Sequence, residues 1–356
     1  MLPFDHPDAA DHEAVHFLRD AASGLEAIIA IHSTALGPAA GGCRLWRYPN
    51  RDDALGDALR LAEGMSYKNA LAGLPLGGGK AVILAPASIG DRSALFAAFG
   101  RAVNALGGRY ITAEDVGTRV DDMKAVARST AYVSGIGADG RSVGGDPSPH
   151  TARGVFLAMR EAWRWLGGSE SLEGVRVAVQ GLGGVGRHLG QLLHEAGAQL
   201  TVSDIDPVRA QYARSQFGAT VIEPQAILAS DVDIVAPCAL GGIIDAAAIA
   251  RMRCVLVCGA ANNQLATLAD ADALVDRGIL FAPDFVVNSG GIMSVAAEYL
   301  RASDADELQR QIESIPLTLR RVLQAAQDNR QSTVAAARDM AQHLLAAAAP
   351  KATQVA

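Results

Sequence analysis

Lysine is scarce in this chain. Only four of the 31 basic residues are lysines (Lys68, Lys80, Lys124 and Lys351), and the other 27 are arginines. Positive charge in general is also short, with a net charge of −7, which argues against nucleic acid or an anionic membrane as the main partner. The four cysteines, Cys43, Cys238, Cys254 and Cys258, have no paired CxxC spacing and read as free thiols in a reducing compartment. The eight histidines show no HxH spacing, and no metal site is expected. No charged n-region with an apolar h-region opens the chain, and no apolar run reaches the roughly 18 residues of a membrane span. The expectation is a cytoplasmic protein. With 356 residues, half of them hydrophobic and 19% charged, it has material for two domains, each with its own core.

The first half reads as mixed α and β. GLEAIIAIHSTALG (24–37), KAVILAP (80–86) and RYITAED (109–115) are strand-like, and RDDALGDALRLAEGMSYKNAL (51–71) and SALFAAFGRAVNALGG (93–108) are helical. GADGRSVGGDPSPH (137–150) has linker composition and places a boundary, giving domains 1–145 and 146–330. Beyond it, helices alternate with continuously apolar runs at 175–180, 199–204, 233–238, 254–259 and 279–286, the pattern of parallel strands covered on both faces. Two further helices, 308–329 and 332–349, close the chain. The segment of about 331–356 is expected to pack back on the first domain.

GLGGVG (181–186) fits G-x-G-x-x-G, with Gly181, Gly183 and Gly186 in the three positions and Gly184 and Val185 between them. It follows an apolar strand, opens an amphipathic helix and is answered by Asp204 at the end of the next strand, 18 residues after Gly186. Glycine permits the tight turn, the approach of a pyrophosphate to the backbone and close packing of helix on sheet. The helix N-terminus then offers N–H donors to the phosphates. Asp204 would accept from the ribose hydroxyls and repel a 2′-phosphate, which favours NAD; Arg209 nearby keeps NADP in view.

Half of the lysines lie in SYKNALAGLPLGGGK (66–80). A phosphate loop is excluded, because Leu74 and Ala81 stand where glycine and Ser or Thr are required. What remains is a lysine delivered by a flexible glycine backbone into a sharp turn. Unlike arginine, lysine can lose its proton when desolvated or set near another cation. One lysine therefore suits a proton acceptor, while the second either lowers the first one's proton affinity or pairs with a substrate carboxylate. Asp115, at the end of a strand, reads on local sequence more readily as a helix cap than as a site residue; Asn262, after the strand at 254–259, reads by default as a turn residue, raised by its place at a C-terminal strand end of the nucleotide domain.

SYKNALAGLPLGGGKAVI, YITAEDVGT, GGDPSPHTARGV, VAVQGLGGVG, APCALGG, CGAANNQL and FAPDFVVNSGG, in this order, resemble the glutamate, leucine, phenylalanine and valine dehydrogenase superfamily over about residues 15–330. Within it the resemblance is greatest to the leucine dehydrogenases. It implies an α/β fold of two domains flanking a cleft: an N-terminal mixed-sheet substrate and catalytic domain and a Rossmann-type NAD-binding domain. It also implies reversible oxidative deamination of a hydrophobic L-amino acid to its 2-oxo acid and ammonia, in a homo-oligomer. By resemblance Lys80 is the catalytic base, Asp115 takes part in proton transfer, and Lys68, Gly42 and Asn262 bind the substrate. Ser148, Thr151, Ala239 and Asn262 join the glycine loop in holding the cofactor. Ala40, Met65, Ala113, Ile292 and Val295 line the side-chain pocket, all apolar, which disfavours acidic substrates. Alanine at position 40, where leucine is usual, weakens the choice of leucine, valine or isoleucine over phenylalanine. A silent NAD-sensing module is the alternative of another class; it has no chemical reason to keep Lys68, Lys80, Asp115 and Asn262 together.

Overall fold

The computed structural model describes residues 6–9, 11–86, 88–136, 146–300 and 304–349; most of the expected linker and Lys351 lie outside them. Two compact units divide these residues. The first takes the chain up to Asp146, Ser294–Ala305 and the stretch from Ala341, and the second takes Pro147–Met293 and Asp306–Met340.

In the first unit the elements are β1 (Ala14–Asp20), β2 (Leu25–Ser33), β3 (Ala39–Trp46), α1 (Arg51–Leu71), β4 (Gly77–Leu84), α2 (Arg92–Ala105), β5 (Tyr110–Glu114) and α3 (Val120–Ala127). The strands form one mixed sheet in the order β1-β2-β4-β3-β5, with β1–β2 and β2–β4 antiparallel and β3 parallel to both β4 and β5. Period-two alternation gives the sheet two different faces. Ile29, Ile31, Cys43, Ala81 and Ile83 pack with Phe96, Phe99, Met123 and Val126 of α2 and α3. Ile28, Ala30 and Val82, on the opposite face, pack with Ala54, Leu55, Ala58, Leu59 and Ala62 of α1. Asn50 caps α1 by accepting from the Asp53 amide.

In the second unit the elements are α4 (Ser148–Trp165), β6 (Arg176–Gln180), α5 (Gly184–Glu195), β7 (Gln199–Ser203), α6 (Pro207–Phe217), β8 (Thr220–Val221), β9 (Ile234–Pro237), α7 (Ala246–Arg251), β10 (Leu256–Val257), α8 (Ala269–Asp276), β11 (Leu280–Phe281), α9 (Asp284–Val287), α10 (Gly290–Tyr299), α11 (Ala305–Glu313), α12 (Ile315–Asn329) and α13 (Thr333–Ala348). Two of these helices, α10 and α13, run on into the first unit. All six strands are parallel, in the order β11-β10-β9-β6-β7-β8, so the connectivity reverses between β6 and β9. Buried Glu161 of α4 accepts from both Arg164 and Arg320, tying α4 to α12.

Several elements differ from the sequence expectation. The run 279–286 is a strand only at Leu280–Phe281, because Pro283 breaks the ladder and Asp284 opens a helical turn. The apolar run 254–259 pairs only through Leu256 and Val257. The helix expected over 308–329 breaks at Ser314, ahead of Pro316. Two strands of the first sheet, β1 and β3, were not expected: β1 is half exposed, and β3 is interrupted by Gly41–Gly42.

At the β2 bulge, His32 is 7% exposed, its Nδ1 2.8 Å from the Ser66 hydroxyl and its ring edge-on to His12 at 4.9 Å. Burial first, then His12, lowers its pKa from 6.5 to about 4, and burial lowers that of His12 as well. The folded state therefore binds fewer protons than the unfolded chain between these values, so stability is full above pH 6.5 and is lost as pH falls towards about 4. Urea midpoints of the parent protein are expected to drop across that window, and His32→Leu to flatten the drop; parallel slopes would assign the acid sensitivity elsewhere.

Candidate active site

The registers of β3, β4 and β5 put the candidate residues of the first unit on one face. Ala40 pairs with Gly78 and Ile111, Gly42 with Ala113, and Arg44 with Val82, so Ala40, Gly42, Arg44 and Lys80 all lie on the side covered by α1. That helix carries Met65 and Lys68, both partly buried, in its last two turns. The three glycines before Lys80 are neither flexible nor in a turn: they are buried inside β4. Crowding demands them. A Cβ on Gly77 would collide with the Ser33 carbonyl, one on Gly78 with the Ser66 backbone and hydroxyl, and one on Gly79 would come within 2.9 Å of the Tyr110 ring. The stretch is fixed by Asn69, which donates to the Gly77 carbonyl at 2.6 Å, and its neighbour β3 by the Tyr110 hydroxyl, which donates to Gly41 at 2.6 Å.

This packing sets Lys80, 5% exposed, with its Nζ 2.8 Å from Oδ2 of Asp115. Gly42 makes the room, since a Cβ there would stand 2.8 Å from that of Asp115. Thr118 pins the backbone around Asp115, accepting from its amide and donating to its carbonyl, each at 2.8 Å. Arg44 Nε reaches the same Oδ2 at 3.2 Å, and its NH1 lies 2.8 Å from Oδ2 of Asp57 on α1, which also accepts from the Tyr48 hydroxyl. Burial pushes the Asp115 pKa up, but Lys80 and Arg44 outweigh it and hold it lowered to about 2. For Tyr48, burial and then the hydrogen bond to Asp57 raise the phenol pKa.

The second unit gathers the glycine loop. Gly181, at φ 90°, lies where a Cβ would be 2.7 Å from that of Ala239, so the segments leaving β6 and β9 meet at the point where connectivity reverses. A Cβ on Gly186 would collide with the Gly181 carbonyl, and one on Gly184 would be 2.6 Å from the Ser148 hydroxyl. Asp204 accepts from the Leu182 amide at 2.6 Å through one oxygen and from Asp206 at 2.8 Å through the other, so it fixes the loop. A carboxylate with two such bonds keeps acceptor capacity for ribose hydroxyls. The crowded, glycine-rich cradle at the N-terminus of α5 fits a dinucleotide pyrophosphate. The Thr151 hydroxyl donates to Pro147. Exposed Asn262 accepts through Oδ1 from Asn288 at 2.8 Å, and Asn288 also donates to the Ala260 carbonyl at 3.0 Å. Ile292 and Val295, both partly buried, sit three residues apart on α10.

Sequence reasoning missed Arg44, Asp57, Tyr48 and Asn288. An arginine two residues past a double glycine, inside an otherwise apolar strand, was the available signal for Arg44. Asp57 looks like any surface residue of a helix until the sheet packs beneath it.

Two family models match the chain: "Glu/Leu/Phe/Val dehydrogenase, dimerisation domain" over residues 12–132 and "Glutamate/Leucine/Phenylalanine/Valine dehydrogenase" over 146–210 and 205–352. The leucine dehydrogenase of Geobacillus stearothermophilus is 46% identical over 342 residues, 96% of this chain and 93% of that protein. The valine dehydrogenase of Streptomyces virginiae is 46% identical over 313 residues, 87% of each. The crystal structure of L-tryptophan dehydrogenase from Nostoc punctiforme superposes with a TM-score of 0.81 at 42% identity, covering 95% of this chain and 97% of that one.

The crowding at β4 is testable against a glycine in open space. Gly78→Ala is expected to cost about 3 kcal/mol or more, whereas Gly64→Ala in α1, with nothing within 4 Å, is expected to gain about 0.5–1 kcal/mol. Denaturant titrations that gave the two variants equal stability would refute the crowding account.

Proposed function

The chain belongs to the Glu/Leu/Phe/Val dehydrogenase family and is an amino-acid dehydrogenase; from that premise we propose that it catalyses NAD-dependent oxidative deamination of branched-chain L-amino acids, leucine, valine or isoleucine, to 2-oxo acids and ammonia. The observation that carries the reading is the buried pair of Lys80 and Asp115 beside Gly42 and α1. A lysine placed there serves proton transfer, not solubility.

In this reading Lys68 and Gly42 hold the substrate carboxylate, with Asn262 as a further contact. Apolar Ala40, Met65, Ala113, Ile292 and Val295 take the side chain. NAD, when bound, supplies the acceptor for the hydride that leaves Cα. Gly181, Gly183, Gly184, Val185 and Gly186 would hold its pyrophosphate and Asp204 its ribose hydroxyls; Ser148, Thr151 and Ala239 complete its contacts. Water adds to the oxidised substrate carbon and sheds its proton to neutral Lys80. Asp115, 2.8 Å from that nitrogen, offers the proton a path towards the departing amine. Its pKa of about 2 means that it carries a proton only in passing and otherwise stands as the anion that orients Lys80. The name of the N-terminal family model supports assembly into a homo-oligomer.

NADH formation at alkaline pH, followed with leucine, valine, isoleucine, phenylalanine, tryptophan and glutamate, tests the reading. Leucine or valine is expected to lead, and an aromatic leader would overturn the substrate choice. Lys80→Ala is expected to lose about 10²–10⁴-fold in kcat with NADH affinity kept. Equal loss of NADH binding would contradict the role given to Lys80. Asp204→Ala is expected to narrow the preference for NAD over NADP, and an unchanged ratio would point to another ribose contact.

A further inference from the structure

Base catalysis by Lys80 raises an electrostatic difficulty that the pair alone does not solve. While Lys80 is charged, the pair is neutral overall. Once Lys80 has given up its proton, Asp115, with its side chain only 15% exposed, would be left as a carboxylate without its partner, and burial favours its neutral form. The proton would then stay within the pair instead of leaving it.

Arg44 meets this condition. Its Nε lies 3.2 Å from the very oxygen that faces Lys80, and a guanidinium does not lose its proton near neutral pH. It is held at its far end as well: NH1 lies 2.8 Å from Asp57, whose Oδ2 also accepts from Tyr48. All of these groups come from β3, α1, β4 and the segments that follow β3 and β5, within one compact unit. We propose that Arg44 is a positioning residue that keeps Asp115 ionised during the part of the cycle in which Lys80 is neutral, with Asp57 and Tyr48 holding the guanidinium on that carboxylate.

The inference rests on the deamination reading and gives it a division of labour: Lys80 moves a proton, and Arg44 supplies a charge that never moves. Removing a fixed positive charge makes the protonated pair easier to form, so the pair releases its proton at higher pH. The acid limb of the kcat profile should therefore move upward.

The test is the pH–rate profile for L-leucine oxidation by Arg44→Met and Arg44→Lys. In Arg44→Met the acid limb is expected to rise by about one to three pH units, the range for loss of an opposite charge at this distance, with turnover recovering on the alkaline plateau. Arg44→Lys should return much of that shift. The same fold-loss at every pH in either folded variant would mark a purely structural role and overturn the proposal. A second measurement does not depend on turnover: the carboxyl carbon resonance of Asp115, assigned by its loss in Asp115→Asn. It should titrate at higher pH in Arg44→Met, or in Arg44→Gln if the former does not fold, than in the parent protein. An unchanged titration would overturn the role of Arg44. A parent protein that oxidised none of the amino acids, yet showed the shifted resonance, would overturn the reaction and leave the electrostatic role standing.

Discussion

The constraint on which the first unit depends is the placement of an ammonium and a carboxylate 2.8 Å apart inside a sheet. Ions in such surroundings are tolerated only when each has partners and the geometry is fixed. The fixing is done by backbone: β4 supplies Lys80, the end of β5 supplies Asp115, and β3 runs between those two strands in parallel. Strands can pass this closely to one another and to α1 only where side chains are missing, which accounts for the glycines at 41, 42, 77, 78 and 79. Each closes a gap that a methyl group would hold open. Ser66 and Asn69 from α1 and Tyr110 from β5 then fill the space and satisfy the carbonyls.

The scarcity of lysine acquires a meaning from this arrangement. At Asp115 the two kinds of cation meet on one oxygen, and they differ in the property that matters there: the ammonium can give up its proton and the guanidinium cannot. Elsewhere the chain has mostly used arginine, as in the clamp of Arg164 and Arg320 on Glu161, where permanent charge and a planar fork are what the contact requires. On the proposed reading, lysine is kept for β4, where a proton has to move.

Much of this was legible in order along the chain. The dinucleotide unit was readable because its signals are local: an apolar strand, a glycine turn, a helix and an acidic residue after the next strand fall within about 30 residues. Lys80 could be singled out for the same reason, as a rare lysine after a run of glycines, whereas Asp115 stood out only through the family resemblance of TAEDVGT. The partners of Asp115 were not readable. Arg44, Asp57 and Lys80 are brought together only by the parallel pairing of β3 and β4 beneath α1, and the interrupted pattern of β3 concealed that it was a strand at all. Glycine was also misjudged: read from sequence it suggests mobility, whereas in β4 it marks close approach of buried backbone. The short strands β10 and β11 show the reverse error, since an apolar run reports burial but not the length over which it pairs.

In the proposed reading, catalytic placement and side-chain selection fall to different atoms of the same strands. In β3, Gly42 contributes absence, giving space to Asp115, while Ala40 two residues earlier contributes a side chain on the same face. In β5, Tyr110 locks the backbone of Gly41 while Ala113 lies beside Gly42. On the proposed reading, a change of volume at Ala40 or Ala113 would alter the side-chain pocket while leaving in place the hydrogen bonds and ion pair that hold β4 and Lys80. On that reading one reaction could be kept while the pocket changes size, because Lys80 and Asp115 are set by glycine crowding and backbone hydrogen bonds to which the side chains of Ala40 and Ala113 do not contribute.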